Sequence, residues 1–321
     1  MLHTKKPLLG LLALAVITSL ALTACPMLRR QEGVRIPEAI RAADRQEPTI
    51  RVYMHETGQI VSMPFEEYLL GVVAAEMVPT WHIEALAAQA IVARTFTLDK
   101  IARQGGVPNR NAHASTNIEE FQAYNAERIN DNVRQAVQKT RGRVLSYRGE
   151  FVRTWFHAYC DGHTSTAADG LAFREFPTPF ITPVTDICPQ YTPAEERTFS
   201  VTFTRAEVVQ ALRQIGQTPG DFTEIKVLKK DRAGRAVTVR IGRAQVSAPA
   251  FRIAIGSTRL RSTKWQEVSV AGDRITFRGS GYGHGVGLCQ WGTKARAERG
   301  DAYAEIVKHY FPKAELAQIW D

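Results

Sequence analysis

Residues 64–95 read PFEEYLLGVVAAEMVPTWHIEALAAQAIVART. Pro64 suits a first helical turn, and the apolar spacing that follows predicts a helix as far as Met77. Pro79 stops it, and Thr80 is placed to cap a second helix over residues 81–103, which Gly105, Gly106 and Pro108 end. On the first helix Leu69, Val72, Val73 and Glu76 fall at i, i+3, i+4 and i+7, so one acid shares the inward face. Glu76 lies in the last turn, where the helix dipole and desolvation both disfavour a carboxylate and raise its pKa. A carboxylic acid that stays protonated near neutrality is suited to protonate a leaving oxygen. A structural salt bridge with Arg94 is the competing role. The second helix carries Ala85, Ala87, Ala88, Ala90 and Ala93, so other elements can approach it closely. On that tight face Arg94 is placed to orient Glu76, to grip an anionic substrate group with its planar fork, or to serve the structure alone.

Ahead of this stretch, Lys5 and Lys6 precede an apolar run from Leu8 to Leu22 that closes on Leu22-Thr23-Ala24-Cys25. That is the plan of a signal peptide over residues 1–24, with a lipobox-like ending that makes Cys25 the lipidation site. Losing its two lysines takes the formal charge from +9 to +7. A basic exported chain expects an anionic neighbour such as membrane or wall polymer, and no nucleic acid. Residues 25–47 are polar and read as a tether, leaving residues 48–321 as the folded domain. Beyond the two helices, hairpins are expected over residues 50–63, 144–159 and 265–278, strands near 199–203, 224–228 and 236–241, and helices over 130–140, 205–215, 293–299 and 303–310. Hairpins and helices without βαβ alternation give an α+β class.

Two further segments carry chemistry. The loop 279-GSGYGHGVGLCQWG-292 has no GxGxxG register and no Lys-Ser or Lys-Thr after it, so it is not a phosphate loop. Its glycines let the backbone approach a ligand, and His284 and Gln290 offer donors and acceptors. The second segment is 156-FHAYCDGHT-164. His157, Cys160 and His163 have zinc-like spacing, but alternate strand residues point to opposite faces and no fourth ligand lies nearby, so no metal is expected there. A Cys160–His163 nucleophile pair is another local option, and a Cys160–Cys188 disulfide suits an extracytoplasmic chain better than either.

Taken together, residues 64–95, 156–164 and 281-GYGHGVGLCQWG-292 resemble the stage II sporulation protein D family, in order over about residues 49–311. The family includes lytic transglycosylases acting on denuded peptidoglycan glycan and enhancers of wall amidases. The resemblance places the family's catalytic glutamate on Glu76. It also makes Arg94, Gln122, His157, His163, His284 and Gln290 candidates for substrate binding. Such a reaction needs one acid/base, because the sugar's own 6-hydroxyl attacks C1. The implied partners are glycan strands, a membrane reached through the lipid anchor, and a wall amidase. The implied location is extracytoplasmic, facing the wall. Some members hold zinc in a stretch ending HCQ-x-Y. The matching 113-HASTNIEEFQAY-124 has Glu120-Phe121 in place of His-Cys and Ser115 near an earlier cysteine, so no metal or other cofactor is expected. Cys160 and Cys289 stand where the family often has serine, which makes Cys160–Cys289 a rival disulfide.

Overall fold

Strands Thr49–Met54 and Gln59–Pro64 form the first expected hairpin, in register from Thr49 opposite Pro64 to Met54 opposite Gln59. Ala114–Ser115 adds a short parallel strand on the other side of Thr49–Met54. This computed structural model describes residues 33–321, so the expected signal peptide, lipobox and lipidation site at Cys25 lie outside the described residues. Among the described residues no helix is long and apolar enough to cross a membrane.

Helix Phe65–Glu76 follows Pro64 directly and buries Leu69, Val72 and Val73 completely. The second helix, Ile83–Gln104, starts later than Thr80 would set it, because His82 is the cap and its Nδ1 accepts from the Glu84 N–H at 3.2 Å. Gly105, at φ +72°, ends it in the left-handed conformation that only glycine adopts cheaply. Helices Phe65–Glu76, Asp131–Lys139, Gln290–Glu298 and Tyr303–Tyr310 all pack on this central helix. Its buried alanines permit that crowding.

A second apolar cluster is built from residues 199–277, with Phe203, Leu212, Val239, Phe251, Trp265 and Phe277 at its centre. One of its sheets runs Lys264–Ala271, Arg274–Ser280, Thr198–Thr204; the other runs Ala244–Ser247, Ala236–Ile241, Ile225–Lys230. Helix Arg205–Gln214 opens with a capping box of Thr204 and Glu207. Helix Ala248–Gly256, unforeseen in the sequence, is capped by the Ser247 hydroxyl with Pro249 in its first turn. The class is mixed α and β, as expected.

Two expectations are corrected. Val34, Ile36 and Ile40 are buried in the main core, and Arg141 and Glu47 form an ion pair, so residues 33–47 belong to the packed body rather than to a tether. The hairpin expected over residues 144–159 is cut short. Only Glu150–Phe151 folds back on Arg143–Tyr147, while Phe156–His157 leaves to pair in parallel with Leu288–Cys289. Buried Thr154 donates to the Val92 carbonyl at 2.8 Å, drawing the chain across the central helix before it can continue the hairpin. The consequence is functional, since it joins the FHAYC segment to the glycine loop.

Candidate active site

Because Phe156–His157 and Leu288–Cys289 are adjacent strands, the glycine loop is held from both ends. Tyr159 and Tyr282 exchange main-chain hydrogen bonds at 2.9 and 2.8 Å, and the Trp291 N–H donates to the Ala158 carbonyl at 3.1 Å. Gly285 sits at φ +80°, and a Cβ there would strike the buried Arg235 guanidinium, which explains glycine at that position. This clamp sets Gln290 at the start of helix Gln290–Glu298 and aims it at the end of helix Phe65–Glu76.

The two halves meet at Glu76. Its Oε1 accepts from the Ala123 N–H at 2.8 Å, and its Oε2 accepts from Gln290 Nε2 at 3.4 Å. Burial pushes the carboxyl up to about 7, against the opposing pull of these two hydrogen bonds. Glu76 lies in a cleft of about 250 Å³ whose walls include Trp81, Arg128, Glu196, Tyr282 and Trp291. The Trp81 and Trp291 rings are 4.8 Å apart at 55°, and the Lys294 ammonium stands 5.7 Å from the Trp291 ring centre. Arg128 donates to the carbonyls of Ala75 and Met77 at 3.3 and 3.2 Å, covering the negative end of the Glu76 helix. An acid that can hold or release a proton near pH 7 thus faces a cleft with aromatic walls and a basic rim.

The other expected site residues do not join it. Arg94 is wholly buried and grips Glu66 with two bonds, Nε to Oε1 at 3.0 Å and Nη2 to Oε2 at 2.6 Å, while Nη1 donates to the Arg143 carbonyl. It neither orients Glu76 nor reaches a ligand, so its substrate-binding role is corrected to a structural one. Gln122 is buried and donates to Thr97 Oγ1 at 2.9 Å; its part is to precede Ala123, whose N–H holds Glu76. The His157 Nδ1–H donates to the Val286 carbonyl at 3.2 Å, and its ring lies 5.5 Å from that of His284. His284 accepts the Val286 N–H on Nδ1 at 3.0 Å, and burial beside Arg252 and Arg235 drives its pKa down to about 3, so it is neutral. Neither histidine lines the Glu76 cleft, and His163 is exposed on a bridge to Thr185. Only Gln290 among these candidates touches the acid.

Trp81, Tyr282 and Trp291 were missed, although each lies within or beside a quoted motif and sugar-binding clefts favour such rings. A larger groove of about 860 Å³ runs along Pro64, Leu70 and Ile83. Its buried acid, Glu66, is already paired with Arg94.

The three described cysteines carry free thiols, all buried, so neither expected disulfide is formed. Cys160 and Cys188 lie with their sulfurs 3.2 Å apart, and Cys289 and Asp186 complete a four-residue cluster behind the cleft wall.

A family model described as stage II sporulation protein matches residues 53–147, a span that holds Glu76 and Ala123. An uncharacterised protein of Brachyspira hyodysenteriae is 31% identical over 252 residues, covering 78% of this chain and 66% of that protein. Stage II sporulation protein D of Bacillus amyloliquefaciens is 27% identical, over 90% of this chain and 86% of its own. The amidase enhancer of Bacillus subtilis is 28% identical over 77% of this chain but only 40% of that longer protein. The matches to these relatives extend well beyond the helical motif, and the structure brings that motif and the glycine loop to one acid. The chain thus carries a stage II sporulation protein match over residues 53–147 and is similar to stage II sporulation protein D over most of its length.

Proposed function

We propose that this protein acts at the cell wall as a lytic transglycosylase on peptidoglycan glycan strands, with strands lacking stem peptides preferred. The observation that supports this most directly is a single carboxylic acid with a pKa of about 7 on the floor of an aromatic-walled cleft. Glu76 gives its proton to the glycosidic oxygen as the C1–O bond breaks. The carboxylate so formed takes the proton of the muramoyl 6-hydroxyl as O6 attacks C1 and closes the 1,6-anhydro ring. Glu76 ends protonated again and no water is consumed, so no second carboxylate is required. Trp81 and Trp291 offer faces for sugar rings, and Lys294 and Arg128 complement the lactyl carboxylates that stem-peptide removal exposes. In this reading the expected lipid on Cys25 anchors the protein at the membrane.

The test is digestion of denuded glycan by the parent and by Glu76→Gln, with product ends read by mass spectrometry. The parent is expected to release anhydro-muramic ends, and the variant to be slower by about 10²- to 10⁴-fold. Ends heavier by one water would instead indicate hydrolysis with Glu196, the other carboxylate of the cleft, as base. The likeness to an amidase enhancer favours one second reading, a glycan-binding enhancer. Its signature is no product from the parent alone together with faster turnover by an added wall amidase.

A further inference from the structure

Behind the wall of the Glu76 cleft, Cys160, Cys188, Cys289 and Asp186 bring one ligand atom each to within 4.8 Å of one another, and all four residues are buried. Three distant pieces of chain supply them: the segment that follows strand Phe156–His157, the turn Cys188–Gln190 with the loop entering it, and the residue that caps helix Gln290–Glu298. We propose that this cluster is a structural zinc site, with three thiolates and the Asp186 carboxylate as ligands.

The donor set is soft and four-fold, which suits zinc with closed tetrahedral coordination. Zinc–sulfur bonds of about 2.3 Å put sulfurs about 3.8 Å apart in a tetrahedron. The Cys160 and Cys188 sulfurs are 3.2 Å apart, and all four ligand atoms lie within 4.8 Å of one another, so small adjustments reach that spacing. Main-chain N–H groups already point at the sulfurs. Gly162 donates to Cys188 Sγ at 3.4 Å, while Cys160 and Gly292 donate to Cys289 Sγ at 3.3 and 3.4 Å. Such donors stabilise thiolates, and the start of helix Gln290–Glu298 adds its positive end at Cys289. Asp186 is oriented as a ligand would be: the Cys188 N–H donates to Oδ1 at 3.0 Å and the Tyr310 hydroxyl to Oδ2 at 2.6 Å, leaving lone pairs on both oxygens.

A disulfide between two of the cysteines is the alternative, and it explains less. It leaves one buried thiol over and gives Asp186 no cation, whereas zinc uses all four groups. On binding, Zn²⁺ takes the place of the three thiol protons, which pass to water; no electrons are transferred and no oxidant is needed. The surplus negative charge is eased by buried Arg235, whose Nη2 donates to the Cys160 carbonyl at 3.3 Å. The site is separate from the stretch at residues 113–124, where the family resemblance would have placed zinc. Bound metal would fix Cys289, and so Gln290, against the Ala158–Tyr159 segment, whether or not Glu76 is an acid catalyst.

The experiment uses the full chain, loaded with zinc or cobalt under reducing conditions. Metal analysis is expected to give one zinc per chain. Cobalt should show sulfur-to-metal charge transfer and the intense visible bands of a tetrahedral site. Cys188→Ser and Asp186→Asn should each weaken zinc at least tenfold in competition with a chromophoric chelator. Tyr310→Phe leaves every ligand in place and should weaken it by about 10- to 100-fold, the usual effect of removing a partner that orients a ligand. Should the cysteine variant fail to fold, Tyr310→Phe and the cobalt spectrum of the parent still decide. Absence of bound metal in the reduced parent overturns the proposal. So does a non-reducing peptide map showing Cys160 joined to Cys188 or Cys289 in protein taken from cells, or unchanged zinc affinity in Asp186→Asn and Tyr310→Phe together.

Discussion

Replacing Glu76 by Gln is expected to remove a fall in stability between about pH 4.5 and 7 and to leave the pH dependence outside that window unchanged. Burial holds this carboxyl at about 7, against an ordinary value of 4.5. At about 1.4 kcal/mol per pH unit, the difference amounts to about 3 kcal/mol. The sign follows from proton counting. Between pH 4.5 and 7 the folded chain keeps a proton that the unfolded chain has released, so stability falls as pH rises through that window and is then level. Gln carries no charge and lacks this slope. Its amide can still accept from Ala123, but its NH2 then opposes the Gln290 donor, which adds an offset independent of pH. The informative quantity is therefore the change in the difference between the two proteins, measured by urea unfolding at several pH values. The variant should gain about 3 kcal/mol relative to the parent between about pH 4 and pH 8. Parallel curves would refute the raised pKa, and with it the physical reason for casting Glu76 as a proton donor at neutral pH.

Two other substitutions probe the neighbourhood of the acid. Gln290→Leu removes a hydrogen bond that lowers the Glu76 pKa, so the alkaline limb of the rate profile should move to higher pH; an unmoved limb in glycan-digestion rates argues that the 3.4 Å contact is idle. Arg94→Ala strands buried Glu66 beside the Gly142 and Trp320 donors and should cost about 3–5 kcal/mol in urea unfolding, whereas KM of the folded fraction should stay unchanged.

Much of the fold was legible because local signals agreed with the final packing. Prolines, glycines and caps marked the helices that later surrounded Ile83–Gln104, and alternation marked the hairpins at residues 50–63 and 265–278. What was lost depended on partners distant in sequence. Nothing local indicates that Phe156–His157 abandons one hairpin to pair with Leu288–Cys289, since that choice is made by the Thr154 bond to Val92 and by the glycine loop. The same limit hid the cysteine cluster. Cys160 and Cys188 lie 28 residues apart and Cys289 another 101 beyond, so no metal-binding spacing appears, and Asp186 looks like any loop acid until the chain closes.

The contrast between Glu66 and Glu76 shows why a residue pattern can nominate an acid but cannot assign its role. Both lie on helix Phe65–Glu76, and Arg94 was the natural partner to suspect for the second. Glu66 instead takes Arg94, the Gly142 N–H and the Trp320 indole, so its oxygens are fully occupied by structural partners. Glu76 receives two neutral donors and no cation, which is too little to offset burial. With the Arg94 guanidinium committed to the helix start, the acid at the helix end has no cation beside it and its carboxyl stays high, at about 7. The difference in partners separates a structural carboxylate from a candidate proton donor, and Arg94 bears on the chemistry only through its commitment to Glu66.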